Sequence, residues 1–252
     1  MSSEAVKWEV KDGVGTVTLN RPEKRNAIND QVLEGISKAF SQLSLNPEAR
    51  VILIQGAGSN FSAGIDFNFL AQVGRDDGRA PGILLREQID MIHSVLNRIE
   101  QTEKPVVAKI HGFCGGLGME LALTADFRIA GESATLGVPE IILGLIPDCG
   151  GTTRLTRMAG PARAKELIMT GKMVSAQEAF QMGMVNRVLP QASLMEETKK
   201  VAAQIAGNGP IGLRLAKMVV NSGFDIDLAE ACSMESIAFS LCFTTEDQKE
   251  GM

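Results

Sequence analysis

Apolar positions along this chain change spacing several times, and each change marks an element. Val14–Leu19 alternates apolar and polar side chains with a period of two, which predicts a strand. Val32, Ile36, Phe40 and Leu43 then recur on one helical face. Val51–Gln55 is a short apolar run suited to a buried strand, and Gly56–Gly64 reads as a loop. Leu85, Ile89, Ile92, Leu96 and Ile99 form a second helical stripe, punctuated by Lys104-Pro105. Val106–Ile110 is the next strand. It runs into a glycine-rich turn, and the apolar pattern beyond that turn predicts a helix starting near Gly116. Short strands and loop are expected from Phe127 to Leu145, with helices resuming near Gly150. Ser175 and Glu178 have capping-box spacing.

From about Gln191 onward strand signals disappear. Three helices are expected there, broken at Asn208-Gly209-Pro210 and Ser222-Gly223. A boundary therefore falls near 190, separating residues 1–190 from residues 191–252. The last helix repeats Leu228, Cys232, Glu235, Phe239 and Cys242 at four-three spacing, and is more apolar than a lone surface helix needs. It should pack on the core or on another subunit.

Composition narrows the class. With 252 residues, 44% of them hydrophobic, the chain can bury a large core without staples. Its net charge of −5, 4% aromatic content and lack of tyrosine offer neither a basic face nor stacking platforms, so nucleic acid is not an expected partner. Four cysteines without a CxxC pair and two histidines give no metal-ligand spacing, so no metal is expected. Met1–Trp8 lacks the pattern of a secretory leader and no apolar run is long enough to span a bilayer, which points to a cytoplasmic protein with no membrane partner.

Candidate chemistry gathers in two loops and three acids. Gly112–Gly118 leaves backbone N–H groups uncovered at a helix start, and Ser59–Asp66 follows a strand in the same manner. One N–H from each would make an oxyanion hole, although, taken alone, tight-packing turns are the simpler explanation of the glycines. Glu120 and Glu140 are set among apolar neighbours, where a carboxyl takes up a proton, finds a partner or does a job. Asp148 could act beside them or cap the helix that follows. His93, His111 and Cys114 lack the partners of a triad, Asp126 and Glu235 read as structural acids, and Lys24 and Arg25 lie in a basic loop that could meet phosphates. No phosphate-loop or dinucleotide fingerprint is complete.

The motifs Asn20-Arg21-Pro22 through Asn26-Ala27, Phe61 through Asp66, Lys104-Pro105 through Glu120, Pro139-Glu140 through Gly151, and Thr170-Gly171 through Gly183 occur in an informative order. Together they resemble the enoyl-CoA hydratase/isomerase (crotonase) superfamily from about residue 6 onward. The resemblance implies an α/β crotonase-like spiral of ββα units over residues 1–190, holding the CoA and catalytic site, and a helical trimerisation region over residues 191–252. A homotrimer, or a homohexamer built as a dimer of trimers, is the assembly it implies. It places CoA phosphates near Lys24 and Arg25, and pantetheine and adenine near Ala27, Ala63, Gly64 and Asp66, with Gly116 beside the substrate. It assigns the oxyanion hole to the backbone N–H groups of Ile65 and Leu117. It makes Glu120 the activator of water and Glu140 the proton donor to the α-carbon of an acyl-CoA thioester. No cofactor is implied beyond the CoA that the substrate carries. Asp148 is an acid where typical hydratases have a small residue, so an isomerase using Glu140 and Asp148, or a non-catalytic CoA-binding subunit, stands beside the hydratase reading.

Overall fold

Val14–Leu19 (β2) is a strand, and it organises the first sheet of the computed structural model, which describes residues 4–72 and 81–252. Residues 1–3 of the opening segment, and residues 73–80, lie outside the described residues. Val6–Lys11 (β1) pairs antiparallel with β2 across Asp12 and Gly13, both at positive φ (51° and 78°). An Asp-Gly pair of that kind makes the two-residue turn whose twist matches a hairpin. Val51–Gly56 (β3), Val106–Ile110 (β4), Phe127–Gly131 (β6) and Arg187–Leu189 (β9) add in parallel, giving the order β1-β2-β3-β4-β6-β9. Phe113–Gly115 (β5), Thr135–Gly137 (β7) and Val174–Ser175 (β8) form a second, smaller sheet.

The central strands β3, β4 and β6 are mostly apolar because both faces of the sheet are covered, with Gln55, Lys109 and Arg128 as the polar exceptions. Ile52, Ile54, Val106, Ala108 and Ile110 face a large core. Asp30–Leu45 (α1) brings Ile36, Phe40 and Leu43 to that core, and Pro81–Glu100 (α3) brings Ile92, Leu96 and Ile99. Val51, Leu53, Val107 and Ile129 face the other way, onto Val201 and Ala202 of Leu194–Ala206 (α8). Phe67–Gln72 (α2) leads away from β3, and Leu117–Leu123 (α4) links β5 to β6. Gly151–Ala159 (α5), Pro161–Thr170 (α6) and Ala176–Gln181 (α7) follow β7. The expected capping box starts α7, with Ser175 Oγ accepting from Glu178 N–H and Glu178 Oε2 accepting from Ser175 N–H.

Pro210–Gly223 (α9) and Leu228–Cys242 (α10) pack on each other, and a fourth C-terminal helix, Glu246–Gly251 (α11), joins the three that periodicity predicts. Its start is held by Thr245, whose Oγ1 accepts from Gln248 N–H. Within the chain α10 does not sink into the core. Leu228 is 79% exposed and Phe239 65%, and Ala238 alone is buried along its length.

Lys217 anchors α9, its Nζ donating to Asp126 Oδ2 at 2.8 Å and to Lys104 O at 3.2 Å. Asp126 Oδ2 also accepts from Val106 N–H at 2.7 Å, so the acid joins the start of β4 to α9. Lys217→Ala leaves that carboxylate half-satisfied and should cost about 1.5–3 kcal/mol in chemical denaturation. A change within experimental error would show that α9 is held by other contacts.

Candidate active site

Two loops that leave the sheet are spliced to each other. Ser62 bridges Cys114 in parallel, with Ser62 N–H donating to Phe113 O at 3.2 Å and Gly115 N–H donating to Ser62 O at 3.1 Å. Ile28 bridges Ile65, with Ile28 N–H donating to Gly64 O and Asp66 N–H donating to Ile28 O. In such a bridge the middle residue turns its own N–H to the opposite side, so Ile65 N–H faces away from Ile28. Leu117 opens α4, where the first N–H groups have no partner within the helix. A Cβ on Gly64 would lie 2.8 Å from Gly115 O and 3.4 Å from Leu117 N, so the loops touch at that point. Gly64 and Gly116 hold φ of +97° and +53°, backbone conformations open mainly to glycine.

The two loops form one wall of a cavity of about 610 Å³. Leu85, Ile89 and Ile92 of α3 line another wall, and Leu143, Leu145 and Ile146 a third. Leu85 and Ile89, expected as part of a packing stripe, face this space. Glu120, Glu140 and Asp148 all open onto it.

Glu120 is 2% exposed, on a helix whose every residue is buried. Its Oε1 accepts from Gly151 N–H at 2.8 Å. Burial pushes its carboxyl up to about 8; the charges of Glu140 and Asp148 push the same way, while backbone hydrogen bonds from Gly151 and Cys149 resist. Glu140 is carried by the 3-10 turn Pro139–Leu143, and burial raises its carboxyl above the ordinary range as well. Its Oε2 is buried with no hydrogen-bond partner among the described residues. Its Oε1 sits 2.9 Å from where a Cβ on Gly116 would be, so the missing side chain makes room for the carboxyl beside the start of α4.

Asp148 does not cap α5. The N-cap is Gly150 at φ +103°, without a side-chain cap bond, and Asp148 is exposed at the cavity. Ligand atoms of Glu120, Asp148 and Cys149 lie within 4.8 Å of one another. Cys149 adds no anion to that group, because burial first, and then the neighbouring carboxylates, raise its thiol.

The expected CoA-contacting residues lie on the loop after β2, which carries Lys24, Arg25 and Ala27, and on the two loops described above. Lys24 and Arg25 are exposed, and Ala27 and Ala63 are half-buried. Arg25 O accepts from Ala63 N–H at 2.8 Å. Asp66 is already engaged, with Arg21 Nη1 at 3.0 Å and Asn68 N–H at 3.0 Å. Burial would raise its carboxyl, but these bonds and the charges of Arg21 and Lys24 outweigh it and hold it low. Sequence reasoning named Arg21 and Asn26 only within a motif. Buried Asn26 donates to Ala57 O and Asn60 O and accepts from Arg21 N–H, fastening the two loops together. His111 Nε2 contacts Gly58 O at 3.0 Å, and Cys114 is a buried thiol pushed upward by burial, so neither forms a nucleophile pair.

A family model described as enoyl-CoA hydratase/isomerase matches residues 9–252. The chain belongs to the enoyl-CoA hydratase/isomerase family. Among curated relatives, a crotonyl-CoA hydratase of Syntrophomonas wolfei is 39% identical, covering 100% of this chain and 95% of that protein. A short-chain-enoyl-CoA hydratase of Clostridium acetobutylicum is 38% identical over 96% of this chain and 91% of its own. The solved structure of an enoyl-CoA hydratase from Bacillus anthracis superposes with a TM-score of 0.92 at 38% identity, covering 98% of this chain and 94% of that one. The expected crotonase-like α/β fold is therefore present, and the protein is an enzyme of the enoyl-CoA hydratase/isomerase family.

In this member of the enoyl-CoA hydratase/isomerase family the buried acid has a measurable signature. Folded Glu120 keeps its proton up to about 8, whereas an unfolded glutamate releases it near 4.3. Its contribution to stability is thus full below the unfolded value and is lost as pH rises toward 8, at roughly 1.4 kcal/mol per pH unit. Glu120→Gln should gain stability relative to the parent between about pH 5 and pH 8 in urea denaturation. Parallel pH dependences for the two proteins would mean that Glu120 ionises normally.

Proposed function

We propose that this protein adds water across the 2,3 double bond of a 2-enoyl-CoA thioester. The observation that carries this reading is the convergence of two glutamates, both raised above the ordinary carboxylate range by burial, and two loop N–H groups on one cavity. The hydratase names of the relatives point the same way. In this reading the thioester oxygen rests on the N–H groups of Ile65 and Leu117, which stabilise the charge it gains as an enolate forms.

Hydration needs a base for water and an acid for the α-carbon. Glu120 takes a proton from water as the water oxygen bonds to C3, and the electron pair of the double bond moves into the enolate. Glu140 then gives its proton to C2. In the arrangement that reacts, the pair's one proton sits on Glu140; after addition one proton remains, on Glu120. Elimination of water is the same sequence reversed. Because both carboxyls are raised, the proton belongs to the coupled pair rather than to one residue.

CoA phosphates would meet Lys24 and Arg25, pantetheine and adenine would run along Ala27, Ala63, Gly64 and Asp66, and the reacting acyl group would pass Gly116. The substrate supplies its own CoA, and no further cofactor enters the scheme. The uncovered apolar side of α10 supports a homotrimer or homohexamer. None of the described helices is long and apolar enough to cross a membrane, which agrees with the cytoplasmic location proposed here.

Asp148 opens onto the same cavity, which is the observation behind a second reading, a double-bond isomerase that passes a proton between Glu140 and Asp148. Turnover of crotonyl-CoA separates the two. Glu120→Gln and Glu140→Gln should each lower kcat for hydration by roughly 10²–10⁴-fold, with Asp148→Asn retaining most of the activity. The parent rate should fall on the alkaline side, above the ordinary carboxylate range, once the pair loses its proton. Loss of activity in Asp148→Asn alone would replace hydration by isomerisation.

A further inference from the structure

Gly150 and Gly151 stand between two ionisable side chains. A Cβ on Gly151 would lie 2.8 Å from Glu120 Oε1, and one on Gly150 would overlap Arg154 Nη1. One glycine therefore admits the carboxyl of Glu120, and the other, at φ +103°, admits a guanidinium. The side chain of Arg154 is 11% exposed. Its donors divide between two parts of the cavity wall. Nη1 donates to Cys149 O at 3.2 Å, in the loop that carries Asp148 and the Gly151 N–H. Nε and Nη2 donate to Glu100 Oε2 at 3.1 and 2.8 Å, and Nη2 also donates to Asn97 Oδ1 at 2.7 Å. Glu100 and Asn97 belong to α3, whose earlier turns line the cavity with Leu85, Ile89 and Ile92.

We propose that Arg154 is a positioning residue for the water-handling acid: it clamps the Cys149–Gly151 loop to α3 and so keeps the Gly151 N–H on Glu120. A planar fork bonded at both ends fixes direction as well as distance, which a lysine could not do. Without the clamp the loop loses its charged tie to Glu100 of α3, and the donor that orients Glu120 moves with it. Arg154 touches no substrate in this scheme. Its effect on turnover passes through the Glu120 carboxyl, which is also faced by Glu140 from the 3-10 turn and by Asp148 and Cys149 from the loop itself.

The inference rests on the hydratase reading above, so the parent's hydration of crotonyl-CoA is measured first. Arg154→Met should then lower kcat by roughly 10²-fold, the scale of a displaced catalytic group, with KM changed only a few-fold. The alkaline limb of its pH profile should move upward, because weakening the N–H bonds to Glu120 favours the protonated acid. Glu100→Gln loosens the same clamp from the α3 side without removing the guanidinium. It should give a smaller change in the same direction, and it serves if Arg154→Met does not fold. A parent that hydrates crotonyl-CoA, with variants whose kcat and alkaline limb match the parent or whose limb moves down, overturns the positioning role even if Tm falls. A parent that fails to hydrate overturns this inference together with the reading it rests on.

Discussion

A carboxyl group that water barely reaches costs free energy to ionise, and this constraint on Glu120 shapes the structure around it. The residue sits on a seven-residue helix with no exposed side, and a single backbone N–H meets its Oε1. Glu140 and Asp148 add negative charge nearby instead of a balancing cation. The arrangement keeps a proton at neutral pH in a place where apolar surface and two acids share one cavity. A purely structural acid would be better served by a pairing such as that of Asp126 with Lys217. The contrast between the buried Glu120 and the half-buried Asp126 separates a group poised to exchange a proton from one that fastens two elements.

Backbone geometry supplies the rest. The parallel sheet delivers three loops at the same end of β2, β3 and β4, and single-residue bridges at Ile28–Ile65 and Ser62–Cys114 stitch them together. These bridges consume alternate peptide groups and leave Ile65 N–H turned outward, as the first turn of α4 leaves Leu117 N–H. Three glycines then clear space at chosen points: Gly116 for the Glu140 carboxyl, Gly151 for Glu120, and Gly150 for Arg154. Adding a Cβ at any of them would crowd an ionisable side chain, and at Gly151 Pro147 as well.

Much of this was readable from the chain. Val14–Leu19, Val51–Gln55, Val106–Ile110, the helix start near Gly116 and the Ser175 capping box depend on local periodicity or local capping, and they appear where the pattern puts them. β1 and β9 are less visible, since their side chains are mostly exposed or half-buried and carry little apolar signal. The Asp12-Gly13 pair was the available cue for β1. Convergence of Glu120, Glu140 and Asp148 on one cavity depends on tertiary geometry and was legible only through motif order. The cap expected of Asp148 failed because Gly150 turns the chain first, at a positive φ that leaves Asp148 at the cavity. Arg154 gave no signal in the sequence, because its partners Asn97 and Glu100 lie more than fifty positions away.

The central claim is that the two glutamates divide one molecule of water between adjacent carbons. It is tested most directly by incubating crotonyl-CoA with the enzyme in heavy-oxygen water containing deuterium and analysing the product by mass spectrometry and NMR. The account predicts one heavy oxygen at C3 and one deuteron at C2 of a 3-hydroxyacyl-CoA, with both labels lost together when Glu120 is replaced by Gln. Deuterium entering an unsaturated thioester that gains no oxygen would contradict it.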